Sequence, residues 1–214
     1  MSLPPSEFKI LPDGTAYFAF NTCQSDEPSK SFVSHLPEIQ KAGKLIIDCR
    51  FSDGGSSNVG WTIVSHLVEK SFKAGRWQTR TYRPSFRAWN QTVDPFSGDV
   101  ILDAQGPRFE GPVAVLCGPR TFSAGEDFLA AFKMSKRGPI VGMPSGGSTG
   151  QPLNFRLPAG GYARICTKRD RMGDGTEFVG VGVLPDIRVE PTIAALRNGT
   201  DPALDAALRA VNHE

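Results

Sequence analysis

A short apolar run, Leu45-Ile46-Ile47-Asp48-Cys49-Arg50, leads into a polar turn that contains Gly54-Gly55. The run lacks polar alternation, which is typical of a strand that is buried on both faces of a sheet. A helix is predicted after the turn, from about Asn58 to Phe72. A buried strand, a glycine turn and a helix in succession are one unit of an α/β fold with a parallel sheet.

The same pattern returns further along the chain. Val113 to Cys117 is a second buried strand, and Gly118-Pro119 separates it from helical spacing over Ser123 to Lys133. Ile140 to Met143 is a third strand, which ends at the glycine-rich turn from Ser145 to Gly150. We therefore predict the α/β class, with a mostly parallel sheet flanked by helices.

Hairpins are predicted at both ends of this core. Near the start, Phe8 to Leu11 and Thr15 to Phe20 flank the turn Pro12-Asp13-Gly14, in which proline presets one dihedral angle and glycine tolerates positive φ. Towards the end, Pro152 to Leu157 faces Tyr162 to Lys168 across a glycine-containing turn.

Other segments have weaker signals. Lys30 to Ala42 has helical spacing with Pro37 in its middle, which predicts a kinked helix. Arg83 to Glu110 has many prolines and little periodicity, and we interpret it as a surface excursion. Phe178 to Val183 is predicted to be extended. Two helices close the chain, and Asp201 can cap the last one.

Composition excludes several classes of protein. The 214 residues fit one large domain, and 24 Lys and Arg against 22 Asp and Glu give a formal net charge of +2. This balance is far from that of a nucleic-acid binder, and none of the apolar runs is long enough for a membrane span. The cysteines are Cys23, Cys49, Cys117 and Cys166, which are far apart, so we predict structural, reduced thiols and no metal site. The last three fall in strand-like apolar segments, where a thiol is commonly buried.

Three glycine-rich turns follow the three buried strands, at Ser52 to Ser57, Gly118 to Ser123 and Ser145 to Gly150. Binding sites in open α/β sheets lie outside the carboxyl ends of the strands, so we expect these turns to converge. The charged run Lys168-Arg169-Asp170-Arg171 ends a strand; we interpret it as a solvated edge, with contact to a substrate carboxylate as the alternative.

Ser123 is the candidate nucleophile. It lies where a strand passes into a helix, and the free N–H groups at the start of that helix favour a developing negative charge. Gly54-Gly55 has no side chains and can bring another backbone N–H to the same point. The alternative is a structural role, because Ser123 and Glu126 have the spacing of a capping box.

Five ordered segments together resemble the carboxyl-terminal processing (tail-specific) serine proteases. They are Leu45 to Gly55, Pro112 to Glu126, Val141 to Gly147, Asp174 to Thr176 and Gly180 to Asp186. The resemblance implies a Clp-protease/crotonase-like fold, a peptide or protein substrate and no cofactor. It also implies that Ser123 is the nucleophile, with the N–H groups of Ala124 and of Gly54 or Gly55 as oxyanion donors.

The sequence departs from this family at two points. Bacterial members use a Ser-Lys dyad whose lysine lies in Gly-Lys-Gly, and the matching stretch here is Gly147-Ser148-Thr149. A serine hydroxyl at position 148 cannot replace an amine as general base. The family's usual Asn-Gly-Gly-Gly is also changed, since Ser52-Asp53 precede the two glycines.

Lysine-less relatives resemble the tricorn core protease, in which a histidine from an upstream segment takes the proton and a glutamate helps to orient the site. No match to that upstream segment occurs in this sequence. His66 is predicted to be structural, and His35 and His213 to be solvated. Glu177, near Gly180 to Asp186, is the candidate orienting carboxylate, with an exposed surface position as the alternative.

These observations predict that residues 1–214 form a single catalytic-core domain, a fragment of a longer protein that lacks its N-terminal segment. The expected activity is that of a serine endopeptidase with a histidine base outside this chain, so that the fragment alone can be inactive. The alternative is a noncatalytic peptide- or lipid-binding module, as in the similar interphotoreceptor retinoid-binding protein. The resemblance is compatible with a periplasmic or extracellular parent, whereas the sequence leaves both location and oligomeric state open.

Overall fold

The computed structural model describes residues 3–212, in which eleven strands and seven helices are formed. The strands are β1 (Ser6–Ile10), β2 (Ala16–Phe20), β3 (Leu45–Asp48), β4 (Phe72–Thr79), β5 (Phe96–Leu102), β6 (Val113–Cys117), β7 (Ile140–Gly142), β8 (Pro152–Arg156), β9 (Tyr162–Cys166), β10 (Lys168–Met172) and β11 (Ile187–Arg188). The helices are α1 (Glu27–Ser34), α2 (Leu36–Ala42), α3 (Ser57–Ser65), α4 (Pro84–Ala88), α5 (Ala124–Ser135), α6 (Ile193–Asn198) and α7 (Pro202–Asn212).

The main sheet has the strand order β1-β2-β3-β6-β7-β11. All neighbouring pairs are parallel except β1 with β2, which form the predicted hairpin. The α/β class with a mostly parallel sheet is therefore confirmed. Because β3, β6 and β7 are adjacent and parallel, the turns that follow them leave the same edge of the sheet.

Alternate residues of the parallel strands enter two different cores, as the two-residue period of a strand requires. Leu45 and Ile47 of β3 pack on the side that α1, α2, α3 and α5 cover. Ile46 points to the other side and packs beneath Ala207 and Val211 of α7. The first core is rich in phenylalanine, and its rings include an edge-to-face pair between Phe20 and Phe128.

Helix α7 is also held by a network of charges. Arg50, which follows β3, forms ion pairs with the buried Asp48 at 2.7 Å and with Asp201 at 2.8 Å. Tyr17 donates a hydrogen bond to Asp48 at 2.7 Å. Asp201 in turn accepts from the Leu204 N–H at 3.1 Å, so the predicted helix cap is formed.

Two predicted helices differ from the structure. The helix that follows Gly54-Gly55 ends at Ser65, and Phe72 instead begins β4. The predicted kinked helix is two helices, α1 and α2, that meet at His35. Pro37 lies in the first turn of α2, where its missing N–H breaks no helical hydrogen bond.

The segment from Arg83 to Glu110 is more than a surface excursion. It contributes α4 and β5, and β5 joins a second sheet in the order β10-β4-β5. Phe109 is buried in the first core. This second sheet packs against α5, since β4 contacts that helix extensively.

Three further predictions near the end of the chain are corrected. Phe178 to Val183 is not extended: the Phe178 carbonyl accepts hydrogen bonds from Val181 and Gly182 in tight turns. Cys166 is exposed, whereas the other three cysteines are buried free thiols. The charged run on β10 is not wholly solvated, because Asp170 is 8% exposed.

Candidate active site

The three glycine-rich turns meet at one end of the sheet. Phe122 donates its N–H to the carbonyl of Ser52 at 2.9 Å, which joins the second turn to the first. Gly146 donates to the carbonyl of Thr121 at 3.0 Å, which joins the third turn to the second. The predicted convergence therefore places Ser123 where all three turns come together.

Ser123 has an unusual backbone conformation, with φ 50° and ψ −118°. Positive φ is unfavourable for a residue with a side chain, and costs of order 1–3 kcal/mol unless surrounding contacts enforce it. Here the Ser123 N–H donates to the Ser148 carbonyl at 3.0 Å, and Thr121 Oγ1 donates to the Cys49 carbonyl at 2.9 Å. This sharp strand-to-helix turn holds a half-buried Ser123 at the wall of a large groove.

Gly54 lies directly against Ser123. A Cβ added to Gly54 would lie 2.7 Å from Ser123 Cβ and 3.3 Å from Ser123 Oγ, and the φ of Gly54 is +96°. Gly55 is equally constrained, since an added Cβ would lie 2.1 Å from the Cys23 carbonyl oxygen. Only glycine fits at either position, so the departure at Ser52-Asp53 leaves the close approach to Ser123 intact.

The N–H groups of Gly54, Gly55 and Ala124 have no hydrogen-bond acceptor within residues 3–212. Ala124 is the first residue of α5, where helical N–H groups have no partner in the helix itself. Donors from a glycine turn and from a helix start, on either side of a serine, are the arrangement that stabilises an oxyanion. The structure thus brings Ser123, Ala124, Gly54 and Gly55 together.

Glu126 has a larger role than the predicted capping box. Its fully buried carboxylate accepts a hydrogen bond from the Ser123 N–H at 3.3 Å, as the capping pattern predicts. It also accepts from Ser145 Oγ at 2.6 Å, from the Gly147 N–H at 2.6 Å and from the Ser148 N–H at 2.7 Å. Burial raises the pKa of Glu126, although these hydrogen bonds oppose the rise. Glu126 therefore fixes the third turn beside Ser123.

The groove at Ser123 has a volume of about 1130 Å³. Its walls come from the turn before α3, from α3 and α5, from the turn after β7 and from the hairpin of β8 and β9. The charged side chains among its lining residues are Asp53, Asp127, Arg164 and Lys168. This volume exceeds the roughly 300–1,000 Å³ of typical small-molecule pockets.

Ser148, which stands where the resemblance to dyad proteases implies a lysine, accepts the Ser123 N–H at its carbonyl and also lines the groove. Within residues 3–212, no His, Lys, Asp or Glu side chain forms a hydrogen bond with the Ser123 hydroxyl. His66 is buried, with Nδ1 2.8 Å from the Pro107 carbonyl, in agreement with its predicted structural role. His35 is half-buried against Phe8 rather than solvated, and His213 lies outside the described residues.

Glu177 is not among the residues that line the groove. It is exposed, and its carboxylate forms ion pairs with Arg169 and with Arg171. These two arginines lower its pKa. The structure therefore does not bring Glu177 together with Ser123, and the orienting role remains a prediction.

Residues 3–212 lack two further features. No group of three or more His, Cys, Asp or Glu side chains in this range has the proximity needed to hold a metal ion. None of the helices described has the length and apolar character of a membrane span.

Comparison with known proteins identifies the family. The sequence profile of peptidase family S41 matches residues 14–189, which include all three turns and Ser123. The chain belongs to peptidase family S41. It is 31% identical over 169 residues to tricorn protease homolog 2 of Streptomyces coelicolor, covering 77% of this chain and 12% of that protein. It is 24% identical over 194 residues to the chloroplastic C-terminal processing peptidase of Tetradesmus obliquus, covering 90% of this chain and 38% of the relative.

The fold agrees with that of a solved peptidase structure. The crystal structure of a peptidase from Parabacteroides merdae superposes with a TM-score of 0.79 at 23% identity, covering 97% of this chain and 64% of the other. The predicted family and fold are thus confirmed. The chain spans less than two thirds of the length of each of these relatives.

Proposed function

We propose that this S41 chain is the core of a serine endopeptidase in which Ser123 is the nucleophile. The position of Ser123 carries the proposal: its strained backbone stands at the start of α5, its side chain lies against Gly54, and the neighbouring N–H groups of Gly54, Gly55 and Ala124 have no acceptor within residues 3–212. Backbone strain at a residue in a groove, with oxyanion donors on either side, favours catalysis over a capping role alone.

In the proposed reaction, Ser123 Oγ forms a bond to the carbonyl carbon of a peptide, and its proton passes to a general base. The N–H groups of Ala124 and of Gly54 or Gly55 hold the resulting oxyanion. Collapse of this intermediate breaks the C–N bond, the base returns the proton to the amine that leaves, and an acyl-enzyme remains on Ser123. Water then hydrolyses the ester by the same route.

The general base in this proposal is a histidine outside the chain. The supporting observation is that residues 3–212 place neither a lysine nor a histidine at the Ser123 hydroxyl. An oxyanion hole without a base still accelerates acyl transfer, by about 10³- to 10⁴-fold over water in serine proteases. The chain alone should therefore react slowly but selectively at Ser123.

A fluorophosphonate probe tests the proposal, because it phosphonylates activated serines. We expect slow labelling, mapped by peptide mass spectrometry to Ser123, that accelerates in proportion to added imidazole as a substitute base. Ser123→Ala should abolish it, whereas Ser148→Ala, which removes a different hydroxyl that lines the same groove, should reduce it by less than threefold. Labelling that is spread over several serines, or that ignores imidazole, would contradict the proposal.

The second candidate function is a noncatalytic peptide- or lipid-binding module. The same lack of a base at Ser123 within residues 3–212 favours it. Binding of an apolar ligand in the groove without any labelling of Ser123, with or without imidazole, would support this alternative.

A further inference from the structure

The charged run on β10 separates into two faces, because successive side chains of a strand point to opposite sides. Arg169 and Arg171 face solvent, where both pair with Glu177. Lys168 and Asp170 face the other way, towards α5 and the groove, and pair with each other at 2.9 Å. The inner face therefore places charges next to the candidate active site.

Asp127 meets this inner face from α5. It lies one helical turn after Ser123, so both residues are on the same side of the helix, and both line the groove. Its Oδ2 accepts a hydrogen bond from Ser57 Oγ at 2.6 Å, and its Oδ1 accepts a longer one from Thr149 Oγ1 at 3.4 Å. Both partners are neutral hydroxyls, and no Lys, Arg or His nitrogen of residues 3–212 lies within 4.0 Å of this carboxylate.

Asp170 adds a second carboxylate that is not fully satisfied. One oxygen pairs with Lys168, while Oδ2 is buried and has no hydrogen-bond partner within residues 3–212. Asp127, Asp170, Lys168 and Trp61 are among the residues that line a small cavity of about 20 Å³ next to the groove. Arg76 and Arg171 line it too, but their guanidinium groups pair with Asp99 and with Glu177. Lys168 is therefore the one cation that pairs with either carboxylate within residues 3–212, and uncompensated negative charge in a partly buried site is costly unless a cation joins it.

We propose that Asp127 is the recognition carboxylate of a subsite for a lysine or arginine side chain of a peptide, a proposal that rests on the proposed peptidase function for its substrate class. The cation of the peptide would pair with Asp127 within the groove. Trp61 of α3 also lines the groove and offers an aromatic face to the methylene stem and the charge of such a side chain.

The protonation of Asp127 gives an independent signature of this subsite. Burial and the nearby charge of Asp170 raise its pKa to about 6, Glu126 acts in the same direction, and Lys168 and the Ser57 hydrogen bond oppose them. Asp127 is therefore charged above about pH 6 and becomes neutral below it. Preference for a basic peptide should weaken as the pH falls through this value.

Binding measurements on the Ser123→Ala protein test the subsite without any chemistry. The probes are two fluorescent octapeptides with alanine at every second position. One has lysine at the remaining positions, and the other has glutamine there. We expect at least tenfold tighter binding of the lysine peptide at pH 8, and loss of that preference in Asp127→Asn. Asp53→Asn removes a different carboxylate from the same groove and serves as the matched control.

Equal affinity for the two peptides, no binding of either, or loss of the preference in Asp53→Asn instead would overturn the proposal. If Asp127→Asn does not fold, as judged by circular dichroism, the pH titration of the unsubstituted aspartate decides: a preference unchanged between pH 8 and pH 5 would overturn it. Failure of fluorophosphonate labelling leaves these binding outcomes unaffected, so the failure of each proposal is recognised separately.

Discussion

The two sides of Ser123 are built in different ways. On the side of the proposed oxyanion hole, Gly54 and Ala124 contribute backbone groups whose positions follow from β3, β6 and α5 of the buried core. On the side of the third turn, the backbone is equally well fixed by Glu126, and Ser148 stands where the resemblance places a lysine base. The first side has its proposed donors in place, whereas the second has a rigid frame with no lysine or histidine at the Ser123 hydroxyl within residues 3–212.

This difference shows which groups of such a site are fixed by the fold itself and which depend on a single side chain. Oxyanion donors are main-chain groups, so they persist as long as the strands and the helix pack correctly. A general base is a single side chain, and one substitution removes it without disturbing the frame. Three substitutions test this difference through the labelling rate of Ser123, measured with imidazole for the first and third and without it for the second.

The largest effect is expected for Gly54→Ala on the oxyanion side. The new Cβ would collide with Ser123 and displace an oxyanion donor, so labelling should slow by about 10²- to 10³-fold. Gly14→Ala is the matched control, because Gly14 has a similar φ of +85° but open space around it. Its labelling rate should stay within twofold; an equal loss in both variants would show that backbone strain alone is responsible.

Ser148→Lys should partly supply the general base that the third turn lacks. The backbone of Ser148 is held against Ser123 and Glu126, so an amine placed there can reach the hydroxyl. We expect imidazole-independent labelling to rise by about 10- to 100-fold, below the full value of a positioned base. Ser56→Lys puts a lysine elsewhere in the groove, and a comparable gain in that variant would refute the positional argument.

Glu126→Gln should have a smaller effect, on both stability and labelling. An amide nitrogen cannot accept the hydrogen bonds that the buried carboxylate now accepts, so the free energy of unfolding should fall by about 1–3 kcal/mol. Labelling should slow by roughly tenfold as the third turn loosens. In the control Glu177→Gln, the free energy of unfolding and the labelling rate should hardly change. A marked loss of labelling in this variant would support the orienting role predicted for Glu177.

Much of the core was predictable because its signals are local. β3 and β6 are runs that are apolar at every position, and Ser123 stands at a recognisable strand-to-helix junction. β4 was missed because Lys73, Arg76 and Gln78 interrupt its apolar pattern, and a register shift between Lys73 and Gly75 breaks its alternation. The helical pattern after Gly54-Gly55 continues to about Phe72, so the sequence did not indicate that α3 ends at Ser65.

The less predictable parts of the site depend on long-range contacts. Glu126 has the spacing of a helix cap, and its hydrogen bonds to Ser145 and Gly147 appear only once β7 lies next to β6. Asp127 meets Ser57 across 70 positions of the chain. No local pattern distinguishes these buried acids from solvated ones, which is why Asp127 was not identified from the sequence.

The position of α7 has a consequence for how the protein is made. That helix covers Ile46, Leu116 and Val141 on one side of the sheet, and Arg50 is shared with Asp201 at its start. During translation the strands around Ser123 emerge well before this helix does. The apolar face of the sheet that α7 covers therefore stays exposed on the nascent chain until residues 202–212 have left the ribosome. We expect chaperones to bind this face most readily in that interval.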